Sequence, residues 1–410
     1  MISLNDALTT LQQSLFSSST RSSETVEAAS ALGRVLAVDV VSPLDVPPHD
    51  NSAMDGYALR VADVQAVGTV LPVSQRIAAG AVGQPLHAGT AARIFTGAPI
   101  PPGADAVLMQ EQTESLDGAV RFLALPPVGN AIRQRGEDVA VGQVVLPRGT
   151  RLTPQALGMV ATVGATTVTV YRQPRVGVFS TGDELVMPGQ PLRPGAIYNS
   201  NRATLIACVQ ALGGRCEDLG LVPDRLEATR AALREAAQKF DLIITSGGVS
   251  VGEEDHLKPA LAAEGVLHDW QLAIKPGKPL AYGQIQVGEH RCHVMGLPGN
   301  PVSSFVTFLL LVRPVLLQLQ GLSPAAPSGY SLRADFNWPR ADGRPEKRRE
   351  FLRVRRNVDG GLDLFPHQGS GVLTSTVWGD GLVDNPPGQI IQSGDLVRYL
   401  PYSEFFSGLA

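Results

Sequence analysis

Three stretches place glycine, proline and charged side chains together in ways that suit an anionic ligand. The first is Thr245-Ser246-Gly247-Gly248-Val249-Ser250-Val251-Gly252-Glu253-Glu254-Asp255, between an apolar run and a helical segment. Glycines let backbone N–H groups close on a phosphate, and the N-terminus of a following helix adds partial positive charge. The spacing contains neither GxxxxGK nor GxGxxG, so it is neither a Walker A loop nor a dinucleotide fingerprint. The same residues would also make a tight strand-to-helix turn with no ligand. The second stretch is Lys275-Pro276-Gly277-Lys278-Pro279. Pro then Gly at the centre is a type II turn signature, which brings the flanking Cα atoms within about 7 Å. Two ammonium groups that close repel by roughly 0.6 kcal/mol in water and about 2.4 kcal/mol at an effective dielectric of 20. Either an anion offsets this or the two lysines splay into solvent. The third is Gly296-Leu297-Pro298-Gly299-Asn300-Pro301, with Asn300 as N-cap, Pro301 as first helical residue, and Ser303 and Ser304 as hydroxyls in the first turn.

Acidic residues stand beside these stretches. The loop Ser180-Thr181-Gly182-Asp183-Glu184 follows an apolar strand of the same region. In a parallel sheet it shares an edge with 245–255, and Glu184 and Asp255 would converge there. Paired carboxylates beside phosphates suit Mg²⁺, a hard cation that prefers oxygen ligands. Helix N-capping is the plainer use for either residue alone. Further upstream, 50–58, 94–99 and 133–138 are polar loops in a β-rich region, carrying Asp55, Thr96 and Asp138. His256 and His268 have no metal-ligand spacing and are expected to be structural or surface residues.

The elements that must hold these loops read in four blocks. Leu4, Leu8, Leu11 and Leu15 mark one face of an N-terminal helix, and the serine-rich 17–23 reads as a loop between two helices. Short β-rich runs at 69–73, 92–96 and 106–109 alternate with Gly/Pro turns and define a mostly β region. A helix then returns at 153–161, with Thr153 as N-cap and Pro154 in its first turn, and is expected to pack back on the N-terminal helices. From 175 to 319 strands alternate with helices, the pattern of a doubly wound α/β domain with a mainly parallel sheet. Beyond 321 the helical period is lost. Arg353 and Arg355 alternate with Leu352 and Val354, and Asp359-Gly360 turns toward Leu362 and Leu364, which predicts a hairpin in a small barrel-like domain.

Length, composition and charge narrow the function. The 410 residues suggest about three domains. The 44% hydrophobic content is normal for a folded chain, and Gly plus Pro fall short of a disordered composition. A net charge of −4 argues against a nucleic-acid partner. Cys208, Cys216 and Cys292 form no CxxC, which fits a reducing compartment. No leader pattern opens the chain, and the apolar 306–312 run, cut by Arg313 and Pro314, is too short to span a bilayer. A cytoplasmic protein with no membrane contact is expected.

Taken together, the loops at 50–58, 95–102, 135–139, 180–185, 197–202, 245–255, 274–279 and 296–303 resemble the molybdopterin molybdenumtransferase family over nearly the whole chain. The 245–255 loop alone is also similar to molybdopterin adenylyltransferases and some competence-damage-inducible proteins. The β-region loops and 274–279 point to the molybdenum-inserting branch. The resemblance implies a multidomain fold: a helical linker domain at 1–41 and 142–172, an inserted β-rich domain at 42–141, an α/β molybdopterin-binding domain at 173–321 and a C-terminal β-barrel-like domain at 322–410. It implies a transferase that takes adenylylated molybdopterin and molybdate, releases AMP and leaves molybdenum on the dithiolene sulfurs, with Mg²⁺ as its ion. It implies a homodimer whose cleft lies between one subunit's α/β domain and the other's β domain. Contact with other molybdenum cofactor biosynthesis proteins is a further expectation.

Carried over residue by residue, the resemblance assigns Glu184, Asp224 and Asp255 to phosphate and Mg²⁺, and Asp55, Thr96 and Asp138 to the β side of the cleft. Lys275 and Lys278 match the basic turn, and Arg353 and Ser370 an oxyanion site. Ser246, Gly247, Gly248, Ser250, Gly252, Pro298, Gly299, Asn300 and Ser303 match the substrate-binding loops. Gln271 is a departure, because some relatives are basic there. A molybdopterin adenylyltransferase is the nearest rival, but such relatives resemble the α/β domain alone. A non-enzymatic scaffold, a role that the animal relative gephyrin also has, would be expected to carry a long linker and a second enzymatic domain. A tungstate-tuned paralogue is a third reading, since none of these residues separates the two oxyanions.

Overall fold

The structure is a computed structural model that describes residues 1–16, 21–249, 255–323, 327–339 and 344–406. Its centre is a six-stranded sheet in the order Arg215–Val222, Arg175–Thr181, Leu242–Ser246, His290–Leu297, Pro279–Val287, Val266–Gln271. The first four strands run parallel and the last two join antiparallel. Leu242–Ser246 is buried along its whole length, as expected for a strand covered on both faces. Three loops named above therefore leave neighbouring strands at their carboxyl ends: 182–184, 247–249 and 298–300.

The helix that opens at Pro301 continues to Leu319 and is the core helix of this unit, with 83% of its most apolar window buried. It is long and apolar enough to cross a membrane by length and composition only, and it stays helical through Arg313-Pro314, where the sequence predicts a break. The wider turn over Phe308–Val312 shifts the hydrogen-bonding pattern ahead of Pro314, which has no N–H to give. Arg313 is buried and donates through Nε to the Phe405 carbonyl at 2.7 Å.

The inserted β region forms a second six-stranded sheet, in the order Ala106–Met109, Gly56–Leu59, Ala91–Ile94, Val70–Ile77, Ala119–Phe122, Thr113–Leu116. The linker is less helical than expected. Ser23–Glu27 is a strand paired antiparallel with Thr167–Tyr171, not a second helix. Helix Pro154–Thr162, capped by Thr153 as its sequence predicts, packs with Leu36, Val168 and Val170 of that unit. The N-terminal helix Leu4–Phe16 goes elsewhere. Leu4, Ala7, Leu11 and Leu15 enter one core with Leu205, Leu309, Phe351 and Phe405, because tertiary burial decides where an amphipathic face docks.

The C-terminal region has the predicted hairpin, Arg349–Arg356 against Leu362–Leu364. Its alternation fails at Arg353, which is 1% exposed. The sheet of this region also takes in Ile274–Lys275 from the α/β unit, parallel to Arg349–Glu350. This pairing ties the basic turn to the C-terminal region.

Candidate active site

The glycine-rich loop is shaped by its contact with the neighbouring loop. Gly247 (φ +92°) and Gly248 (φ +67°) are both left-handed, and a Cβ on Gly247 would lie 2.8 Å from the Thr181 carbonyl oxygen. Only glycine meets both demands without strain. Gly247 N–H donates to the Leu297 carbonyl at 3.1 Å, and Asn201 Nδ2 donates to the Gly299 carbonyl at 2.7 Å. The two loops thus sit side by side over the sheet edge.

A cleft of about 540 Å³ opens there. Of the residues expected to bind substrate, Gly247, Gly248, Pro298, Gly299, Asn300, Ser303 and Ser370 line it, together with Asp255, Lys275 and Lys278. Ser250 and Gly252 lie outside the described residues. Ser246 does not face the cleft: it is buried, with its Oγ 3.3 Å from Ser180 Oγ.

The lysine turn resolves the two alternatives left by its spacing. The Lys275–Pro276 peptide is cis, and Gly277 has a positive φ (+107°), with the chain bending at Pro276 rather than closing a hydrogen-bonded type II turn. Lys275 is offset from within the protein, with Nζ 3.3 Å from Glu346 and 3.4 Å from Glu350. Arg348, with Lys275 also contributing, holds the Glu346 carboxyl well below its usual range, at about 2. Lys278 is exposed to the cleft and, among the described residues, has no ion-pair partner.

Arg353 is not on the cleft wall. Its guanidinium is buried behind it, donating to Ser375 Oγ and to the carbonyls of Phe351 and Gly369, each at 3.2 Å. Burial lowers its pKa to about 10. Gln368 clasps its backbone from both sides, with Oε1 2.9 Å from Arg353 N and Nε2 3.0 Å from Arg353 O. The loop so held presents Ser370, whose carbonyl accepts from Val302 N–H at 2.9 Å. The arginine that lines the cleft is Arg348, whose charged run reads from its sequence as a solvated face. Its signal lies in the Lys347-Arg348-Arg349 run, and the fold sets Arg348 on the cleft wall while Arg349 turns onto Asp384.

The acidic trio does not assemble. Among the described residues no group of three His, Cys, Asp or Glu side chains is placed to hold a metal ion. The physical reason is strand order. Asp224 follows the edge strand Arg215–Val222, while the loop to Asp255 leaves a strand two places away, roughly 10 Å at about 4.8 Å per strand. Glu184 folds over Gly182, where a Cβ would meet its Oε2 at 2.6 Å. The three residues therefore do not fit a preformed Mg²⁺ site.

The β-region residues form a second group. Asp55 Oδ1 accepts from both N–H and Oγ1 of Thr96, each at 2.8 Å, and these bonds lower the Asp55 pKa. Buried Ser52 joins the three loops. It exchanges backbone bonds with Gly97 and Ala98 and pairs with Ile132. Asp138 is exposed on the third loop. None of Asp55, Thr96 and Asp138 lines the 540 Å³ cleft.

An open, mainly parallel sheet that carries a glycine loop and a cationic turn at one edge is the architecture of an α/β domain suited to an anionic ligand. Residues 177–318 match the family described as a probable molybdopterin binding domain. Residues 2–164 match the MoeA N-terminal region (domain I and II), and 339–402 the MoeA C-terminal region (domain IV). The chain is 43% identical to the molybdopterin molybdenumtransferase of Haemophilus influenzae over 85% of each chain. It is 41% identical to that of Nostoc sp., over 93% of this chain and 90% of the relative. Its fold is similar to that of the molybdopterin biosynthesis moeA protein from Pyrococcus horikoshii OT3, at 29% identity and a TM-score of 0.81, over 98% of this chain and 100% of that one. The chain belongs to the molybdopterin molybdenumtransferase family.

Proposed function

We propose that this chain is the transferase that inserts molybdenum into molybdopterin, consuming adenylylated molybdopterin and molybdate and releasing AMP. The observation that carries the reading is the cleft itself. It gathers the bare backbone of Gly247 and Gly248, the ammonium of Lys278, which has no ion-pair partner among the described residues, and the guanidinium of Arg348. Both substrates are anions, so collecting them in one place requires fixed positive charge and aligned N–H groups. Lys278 supplies a compact point charge, and Arg348, whose Nε and Nη2 donate to Glu346, holds a second cation at the same wall. Ser303 and Ser370 add polar groups at the same wall. The work of the protein is then positioning and electrostatic stabilisation. Two wall residues on the C-terminal side, Arg348 and Ser370, favour this reading over an adenylyltransferase, as do the matches at 2–164 and 339–402.

Magnesium belongs to the proposal in a reduced form. Asp255 is the member of the acidic trio on the cleft wall, and phosphate oxygens and water would supply the rest of the ion's shell. A homodimer that brings the Asp55, Thr96 and Asp138 face of one subunit over the cleft of the other is also part of the reading. So are a cytoplasmic location and contact with other molybdenum cofactor biosynthesis proteins. The test is AMP release from adenylylated molybdopterin. It is expected only when molybdate and a divalent ion are both present. Undiminished release without oxyanion would exclude the reading, and release in chelator would remove the metal from it. Conversion of ATP and molybdopterin to pyrophosphate would favour the adenylyltransferase.

A further inference from the structure

A cavity of about 800 Å³, larger than the cleft, lies between the linker unit and the core helix. Arg148, Arg151 and Arg313 line it, and among the described residues no aspartate or glutamate does. Its size is that of an organic ligand site rather than a bound ion. Arg151 Nη1 is buried with no hydrogen-bond partner. Leaving such a donor unmet is costly, and charged donors cost most. Burial lowers the Arg151 pKa, and Arg313 is lowered by burial and then by Arg151, with Glu404 opposing, so the two cations feel one another across the cavity. Arg148 is oriented by its Nε bond to Tyr171 Oη at 2.6 Å. Helix Pro154–Thr162 starts at the rim, where Gln155 lines the cavity, and adds partial positive charge. Met159 and Leu317 add apolar surface to the lining.

We propose that this cavity is a second binding site, separate from the cleft, for a phosphate-bearing organic anion of about mononucleotide size. Arginine forks suit phosphate oxygens, and the Met159 and Leu317 surface suits a ring. The inference does not depend on the reaction assigned to the cleft. It is tested by photolabelling the full chain with 8-azido-ADP and mapping the labelled peptides.

Label on the segment from Arg148 to Met159 is expected, with protection by ADP but not by adenosine. The double variant Arg148→Gln, Arg151→Gln should lower that label by roughly tenfold or more, with label on the 247–300 peptides unchanged. Gln155→Trp narrows the mouth at an exposed helical position without removing charge, and should lower the label as well. Absence of label there, label indifferent to both variants, or equal protection by adenosine would overturn the proposal. So would a double variant that sediments as monomers where the wild type is a dimer, because the arginines would then grip a second copy of the chain.

Discussion

Lys275 and Glu350 occupy the same register position on two parallel strands, and the lysine Nζ lies 3.4 Å from the glutamate carboxylate. Glu350 is 3% exposed and also accepts from Trp338 Nε1 at 2.7 Å. This pair joins the α/β unit to the C-terminal sheet, and it separates the duties of two lysines three positions apart.

Lys275→Ala should therefore act first on stability. It removes the cation from a buried carboxylate, a loss of about 1–3 kcal/mol once the lysine's partial exposure is allowed for. Lys278→Ala should change stability by less than about 0.5 kcal/mol. It should instead raise the molybdate concentration for half-maximal activity by roughly 10- to 100-fold, the effect of losing a charge-assisted contact. Denaturant melts and oxyanion titrations of both variants check the split. Equal effects of the two variants on both measurements would refute it.

Arg353 and Arg348 should divide in the same way. Arg348→Ala is expected to weaken oxyanion use while leaving the fold intact. Arg353→Ala leaves the Gly369 carbonyl and Ser375 hydroxyl without their buried donor and should cost about 2–4 kcal/mol. Its activity, measured well below its melting temperature, should fall through a displaced Ser370 loop. Faster proteolysis near Gly369 in Arg353→Ala but not in Arg348→Ala is the signature of that displacement.

A pH effect on stability follows from His293. It is 1% exposed, with Nδ1 3.0 Å from Tyr282 Oη, and burial lowers its pKa to about 4. The unfolded chain takes up this proton near pH 6.5, whereas the folded protein resists it until about pH 4. Between these values the unfolded state binds more protons, so stability falls as pH falls, by roughly 3 kcal/mol over the window. His293→Phe keeps the ring and removes the titration. Its stability should be flatter from pH 6.5 to 4 than that of wild type, and an unchanged slope would assign the acid sensitivity to other groups.

The shared site proposed above predicts complementation. Asp138 stands on the β face and Asp255 in the cleft of the same chain, with no β-region residue on the cleft wall. Inactive Asp138→Ala and Asp255→Ala chains, mixed under conditions of subunit exchange, should regain activity. Random pairing gives mixed dimers as about half of the population, each with one intact site of two, or roughly a quarter of wild-type activity. Exchange without recovery would mean that each site is built from one chain.

Local pattern determined much of this protein. Apolar runs predicted the strands at 175–181 and 242–246, because a strand buried on both faces must be apolar along its length. Thr153 and Pro154 announced their helix, because capping is settled within one turn. The motif spacing pointed to the glycine loop, the lysine turn and the helix start that the structure brings into one cleft. Tertiary structure alone decided what depends on distant partners. It paired Lys275 with Glu346 and Glu350 and left Lys278 with no ion-pair partner among the described residues. It turned Arg353 inward and Arg348 toward the cleft, although both belong to one basic stretch. It spread Glu184, Asp224 and Asp255 along the sheet edge, because strand order is set by how crossovers pack and not by the spacing of carboxylates. It also sent the N-terminal helix into the α/β core, since an amphipathic stripe specifies that it will be buried but not against what.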